Sequence, residues 1–403
     1  MKLKVYCILL ITLSFTAGCR WIGKADRNST ESTTHPAVAD TTSYTYQEIQ
    51  IRQETDNSLK DSEGQRAAQP TAMSKLNEGS KAEMIDEMEE VQMSFSQTYQ
   101  QVSSQRTQRT PSLAQQQLMD ENVQLLAKSA PASFEYHLYS YISGNYDLSL
   151  IEHLKTAEKL NPTNMDVQLQ MAAYYIIKDD TKNAEIYLQK LIDRNRFSNE
   201  LLNYAEDLLL SVKANETLIT HGFDDTFPLV YLQLKKGVRA DVAIISLDLL
   251  QSQSYRSRLM AAGYKISNET FVDVKYFQNF LELNTSKNLA VSMTVPKEYV
   301  KDVQARLFPS GLVFDYSLEK EYSNFYRNEL LWNKELQRKS LKEPTLQQTK
   351  ALNANYLPML FQLRGVYLAN NQLEQLSEVD KWIDNIAIQC NKYEQVQKLK
   401  GAN

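Results

Sequence analysis

The sequence predicts an α/β fold joined to α-helical parts: helical hairpins, a small and mostly parallel βαβ domain, then a helical C-terminal region. Three observations predict it. Glycine and proline are scarce, at 11 and 10 of 403 residues, which favours helices. Apolar residues recur at helical spacing on both sides of the middle of the chain. Between those stretches, short apolar runs alternate with amphipathic ones, the pattern of strands linked by crossover helices.

The N-terminus carries its own message. Lys2 and Lys4 precede an apolar run from Val5 to Phe15, and Thr16-Ala17-Gly18 then lead to Cys19. A basic start, a short apolar segment and small residues mark a secretory signal over residues 1–18. The small residues ending on Cys19 resemble a bacterial lipobox, with Thr16 in place of the commoner Leu. Cleavage there leaves Cys19 to carry lipid, and about 0.8 kcal/mol per buried CH₂ makes several acyl chains a durable anchor. Arg20, rather than an acidic residue, follows the cysteine, which points to the outer membrane of the cell envelope. Cys7 leaves with the signal, so Cys390 is the remaining thiol and no intrachain disulfide is expected. Cys390 follows Ile383, Ile386 and Ala387 and reads as buried filler.

Residues 19–111 are rich in Ser, Thr, Gln and charge and read as a disordered tether, because such a segment buries too little surface to offset chain entropy. Met84, Met88 and Val91 hint at a short helix within it, and Asp40-Thr41-Thr42 resembles a short O-glycosylation signal. Helical structure is expected over residues 112–214. Leu118, Met119, Val123 and Leu126 suit a lead-in helix. Two units then repeat at the tetratricopeptide spacing of about 34 residues. Leu138, Tyr141, Leu154 and Ala157 mark the first, and Ala172, Tyr175, Ala184, Leu188 and Leu191 the second. Asn199–Val212 supplies a further helix.

The α/β domain spans residues 215–320. Its expected strands are Glu216–Thr220, Val242–Leu247, Asn288–Val295 and Leu312–Tyr316. Helices around Phe227–Lys236, Tyr255–Ala262, Val274–Leu283 and Glu298–Leu307 alternate with them. In the first crossover, Asp224, Asp225 and Thr226 offer N-cap chemistry, Pro228 suits the first turn, and Gly237 closes the helix. The nearly continuous apolar run at Val242–Leu247 reads as a strand covered on both faces. Residues 321–403 return to helices: one at Glu321–Leu341, then an antiparallel pair at Tyr356–Asn370 and Gln372–Cys390. Arg364 and Asp380 in that pair stand where small or apolar residues are usual.

In an open parallel sheet, ligands meet the carboxyl ends of the strands. Those ends bring His221, Asp224 and Asp225 after the first strand, Ser246, Asp248, Gln251 and Ser252 at or after the second, and Thr294 and Lys297 after the third. The candidate ligand loop is His221, Asp224, Asp225 and Asp248. A histidine with carboxylates suits a metal or a base with its orienter. His35, His137 and His153 fall in the tether and the repeat, so no second imidazole is expected beside His221. Asp224 and Asp225 equally suit a helix cap. No G-x-S-x-G, Walker, G-x-G-x-x-G, H-E-x-x-H or paired-cysteine pattern occurs, so no catalytic residue, cofactor or metal is expected. The net charge of −5 and the lack of basic clusters with aromatics argue against nucleic acid.

Gly222, Asp225, Thr226, Phe227, Pro228, Leu229, Tyr231, Leu232 and Gln233, continued by Gly237, Val238, Arg239, Asp241, Val242, Leu247, Leu249 and Leu250, resemble a block of a known family. That family is the soluble C-terminal region of Bacteroidota membrane proteins of protein O-mannosyltransferase-like type. Asn288–Tyr316 resembles the same family's next strand–helix–strand portion. His221 stands where the family has Asn, and Phe223 where it has Asp, so one carboxylate of that loop is lost. The resemblance implies a fold and an envelope setting; the spans that would carry glycosyl transfer are absent. The expected function is a lipid-anchored scaffold or adaptor with an envelope protein partner, or else a ligand-binding accessory of envelope glycan metabolism.

Overall fold

The computed structural model describes residues 75–319 and 323–401. Cys19, the signal segment, Asp40–Thr42 and the first part of the tether lie outside the described residues. The chain divides into Arg20–Glu87 and a compact unit that holds everything from Met88 onward.

The first described element departs from the expected tether. Helix α1 runs Lys75–Ser104. Val91, Phe95, Thr98 and Val102 are buried at i, i+4, i+7 and i+11, a stripe that gives the helix a reason to exist. Phe95 stacks on Tyr139 with ring centroids 3.9 Å apart. The stripe is one residue wide and most of the intervening positions are Ser and Gln, so composition masks the period.

Helix α2 (Leu113–Ser129) opens with a capping box in which Ser112 Oγ accepts from Gln115 N–H and Gln115 Oε1 accepts from Ser112 N–H. Two helical hairpins follow: α3 (Phe134–Ser143) with α4 (Ile151–Leu160), and α5 (Met165–Lys178) with α6 (Thr181–Asp193). Ser133, Asn164 and Asp180 cap α3, α5 and α6 through side-chain oxygens. Leu138, Tyr141, Leu154, Ala157, Ala172, Ala184, Leu188 and Leu191 are buried between the paired helices, and Tyr175 is half-buried. Helix α7 (Asn199–Ser211) is capped by Ser198 and packs against the first crossover helix of the sheet.

That sheet is mixed, with five strands in the order β2-β1-β3-β5-β4. Strand β1 (Thr217–Thr220) pairs in parallel with β2 (Ala243–Ser246) and with β3 (Leu289–Ser292). Strand β5 (Val313–Tyr316) runs antiparallel between β3 and β4 (Leu307–Ser310). Helices α8 (Phe223–Lys236), α9 (Gln253–Ala261), α10 (Val274–Leu283) and the single turn α11 (Lys297–Val300) join them.

Three expectations are corrected. The helix foreseen at Glu298–Leu307 is short, and its last residue begins β4. Pro309 lies in β4, which an edge strand tolerates because one side needs no N–H donor. Strand β2 is also an edge, with Ala243 exposed, so its apolar run does not mean cover on both faces. Third, Pro228 lies inside α8 rather than in its first turn, because the helix starts at Phe223 with Gly222 as N-cap. The β4–β5 turn uses Gly311 at φ +58°, and a Cβ there would sit 2.6 Å from Ser211 Cβ. Ser211 Oγ accepts from Leu312 N–H, and Asn328 Oδ1 accepts from Gly311 N–H, so the turn is pinned from both sides.

The helix foreseen at Glu321–Leu341 is broken into α12 (Phe325–Leu330), a π-turn at Leu331–Glu335 and a 3₁₀ turn at Lys339–Leu341. Buried Trp332 on the π-turn meets Trp382 edge-on, with ring centroids 5.5 Å apart. Helix α13 (Gln347–Asn353) leads to the antiparallel pair α14 (Leu357–Ala369) and α15 (Leu373–Gln389), then α16 (Tyr393–Gly401). The unusual Arg364 and Asp380 form an ion pair across that hairpin at 2.9 Å. The buried apolar residues make one connected core from Phe95 to Leu399.

Candidate functional site

From β1 the chain steps to β2 on one side, then returns past β1 to β3 on the other. Strand order reverses at β1, which is where open sheets leave a crevice beyond the carboxyl ends. A cavity of about 500 Å³ sits there. Its sheet-side lining is His221 to Asp225, Asp248, Gln251 and Thr294. The facing lining comes from the helical part and includes Tyr99, Arg109, Tyr146, Gln170, Arg196 and Tyr204.

The four residues of the candidate loop all reach this cavity but do different things. Asp225 is the third residue of α8. Its Oδ2 accepts from His221 N–H at 2.8 Å and its Oδ1 accepts from Ser292 Oγ at 3.0 Å. Ser292 in turn contacts Thr294 Oγ1 at 2.6 Å, so one carboxylate ties the end of β1 to the end of β3. Burial raises its pKa above the ordinary aspartate value, and the hydroxyl and backbone donors oppose that. The capping expectation holds for Asp225 only in a modified form. The N-cap is Gly222, which has no side chain, and Asp225 reaches back from the first turn to the loop N–H.

Asp224 is exposed and pairs with Arg196 at 2.6 Å. Arg196 lies over the Phe197 ring at 4.9 Å. Asp248 is buried instead. It accepts from Arg109 Nε at 2.9 Å and from Tyr146 Oη at 3.2 Å. His221 is held neutral: burial lowers its pKa well below the ordinary value, with Arg109 and Arg106 adding to the effect. Its Nε2 is buried and has no hydrogen-bond partner. The ring meets Tyr299 edge-on at 5.5 Å. Phe223, where one carboxylate of the loop is lost, packs on Phe227 at 4.7 Å and stands edge-on to Tyr146 at 6.3 Å.

The other strand-end residues separate. Ser252 Oγ donates to the Tyr146 carbonyl at 3.0 Å, so it is structural. Ser246 is buried as the last residue of β2, and neither it nor Lys297, the first residue of α11, lines the cavity.

The residues that sequence reasoning missed lie on the helical side. Arg109 belongs to the segment Gln105–Pro111, expected as the end of the tether. That segment is held against the start of α10: Arg109 N–H donates to the Val272 carbonyl at 2.7 Å and Val274 N–H to the Thr107 carbonyl at 3.0 Å. Arg106 pairs with Glu298 at 3.1 Å. Tyr99 on α1 accepts from Gln170 Nε2 at 3.2 Å, and Tyr204 on α7 accepts from Asn355 Nδ2 at 2.8 Å. No local pattern marks these positions, because each is a single side chain brought in from a distant part of the chain. Among the described residues, no cluster of three or more His, Cys, Asp or Glu is placed to hold a metal ion.

Chemically, the cavity offers hydrogen-bond acceptors and donors beside aromatic rings. Its two arginines are each engaged by a carboxylate, and Asp225 adds a third carboxylate to the lining. The comparisons bear on the same region. No curated protein and no solved structure matches the chain. Residues 201–397, from within α7 to within α16, match the family described as TMEM260-associated domain 2. That part of the chain is similar to a TMEM260-associated domain 2, and TMEM260 is an O-mannosyltransferase-like membrane protein family.

Proposed function

We propose that the unit from Met88 onward is a non-enzymatic binding module whose cavity takes a small, uncharged, hydroxyl-rich ligand of the saccharide class. In this reading the protein is an accessory of envelope glycan or glycoprotein metabolism, lipid-anchored through Cys19 to the outer membrane. The observation that carries it is the cavity of about 500 Å³ at the reversal of strand order, within the range of small-molecule sites. Its lining supports the ligand class. Arg109 and Arg196 are already paired with Asp248 and Asp224, so a phosphate or carboxylate would have to break a pair to find a cation. Neutral hydroxyls both donate and accept, which suits the Asp225 carboxylate and the Thr294 hydroxyl of the lining residues. The match of residues 201–397 supports the glycan setting.

The test is a thermal-shift screen of the full chain against neutral mono- and oligosaccharides, sugar phosphates and inorganic phosphate. Stabilisation by a neutral saccharide, lost in Asp225→Ala, is expected. Stabilisation by phosphates alone would contradict the reading.

A scaffold or adaptor role is the second reading, favoured by the paired helical hairpins. Crosslinking in envelope membranes followed by co-purification separates the two. Stoichiometric protein partners favour the scaffold, and a bound saccharide favours the accessory.

A further inference from the structure

Helices α3 and α4 carry one histidine each, His137 and His153, and the hairpin brings them together. Their Nδ1 atoms lie 3.1 Å apart, with ring centroids 5.2 Å apart and planes inclined at 46°. Both are half-buried on the hairpin, and the Tyr136 ring flanks them at 5.1 and 5.4 Å. A direct contact between two imidazole nitrogens needs one to donate and the other to accept, so the pair shares a single proton on that line. The geometry carries a second meaning. With metal–nitrogen bonds of about 2.0–2.1 Å, two nitrogens on one ion stand about 2.9 Å apart at a right angle and about 3.3 Å apart at the tetrahedral angle. The observed 3.1 Å falls between those values.

We propose that His137 and His153 form a two-imidazole site for a divalent d-block cation, which clamps α3 to α4. Imidazole suits Zn²⁺, Ni²⁺ and Cu²⁺, and water completes the coordination. Binding replaces the shared proton with the ion. The donor ring moves its proton from Nδ1 to Nε2 by exchange with solvent, so both rings stay neutral and no net proton is released. A turn about χ2 of each ring, a broad torsion for histidine, brings the two lone pairs onto one point. The site is independent of the cavity, because neither histidine lines it.

The experiment is Cu²⁺, Ni²⁺ and Zn²⁺ titration of the untagged full chain by calorimetry, with electron paramagnetic resonance of the Cu²⁺ form. The expected result is one ion per chain, tightest for Cu²⁺, with hyperfine coupling to two imidazole nitrogens. His137→Gln and His153→Gln are each expected to weaken binding at least tenfold, on the order of the roughly 10–100-fold lost when even an outer-shell partner is removed. His35→Gln, the control, is expected to change nothing. Circular dichroism confirms that each variant is folded, and two independent variants guard against one failing. Absence of saturable binding, coupling to fewer than two imidazoles, or equal affinity in either hairpin variant would overturn the proposal.

Discussion

The two walls of the cavity are built by different means. On the sheet side, Asp225, His221 and Thr294 stand where strand ends and the first turn of α8 put them, and the backbone does most of the positioning. On the helical side, Arg109 comes from a segment with no secondary structure of its own, fixed by backbone bonds to residues 272–274 and by a buried pair with Asp248. The first wall is local in sequence and rests on regular structure. The second is assembled across about 140 residues, as the 139-residue separation of Arg109 and Asp248 records. A wall of the second kind is expected to be more fragile to single substitutions.

The largest effect should fall there. Arg109→Ala leaves the Asp248 carboxylate buried beside Tyr146 without its cation, and breaking a buried pair in this way costs about 3–5 kcal/mol. Urea unfolding of the full chain checks it, and Asp248→Asn in the same background should recover part of the loss. A cost below about 1 kcal/mol would place the pair with solvated surface pairs and erase the contrast between the walls.

Next comes a pH dependence from the other end of the sheet. Glu216, just before β1, is buried, and its pKa is pushed up to about 7, by burial first and by Asp315 second. The folded chain then holds this proton at pH values where the unfolded chain has released it. Stability is therefore expected to fall as pH rises from about 4.5 to about 7, by an amount on the order of 1–3 kcal/mol. Glu216→Gln keeps the acceptor for Lys213 N–H and should flatten that fall. The same fall in the variant would mean that another group carries it. His221 works in the opposite direction. Its depressed pKa means that stability is lost as pH drops below the ordinary histidine value, and His221→Asn should reduce that loss.

How far the sequence foretold the site follows the same division. Helix α10 was legible to the residue, and β1, β2, β3 and β5 to within a few, because their apolar runs are bounded by Gly, Asp and Asn turns. Asp225 and His221 were legible because they follow a strand end. Arg109 was not, since a lone arginine in Ser- and Gln-rich chain carries no period and its partner is remote. Helix α1 was foreseen only as a short hint at Met84, Met88 and Val91, because its narrow stripe of Val91, Phe95, Thr98 and Val102 is diluted by polar neighbours. Strand β4 was missed because Pro309 and the short run after Arg306 read as the end of a helix.

The smallest effect is expected at Asp224. Its pair with Arg196 is half-exposed, so Asp224→Asn should cost about 0–1 kcal/mol and leave ligand binding within a small factor. Asp225→Asn keeps shape while removing charge. A loss of ligand affinity there, beside an unaffected Asp224→Asn, would assign recognition to the inner carboxylate alone.

The most direct measurement is hydrogen–deuterium exchange on the full chain with and without the neutral saccharide that gives the largest thermal shift. If both walls close one site, amides at 99–109, 221–225 and 292–294 gain protection together, and Arg109→Ala abolishes the gain on both sides. Protection confined to one wall, or none at a saturating concentration of ligand, would contradict the account.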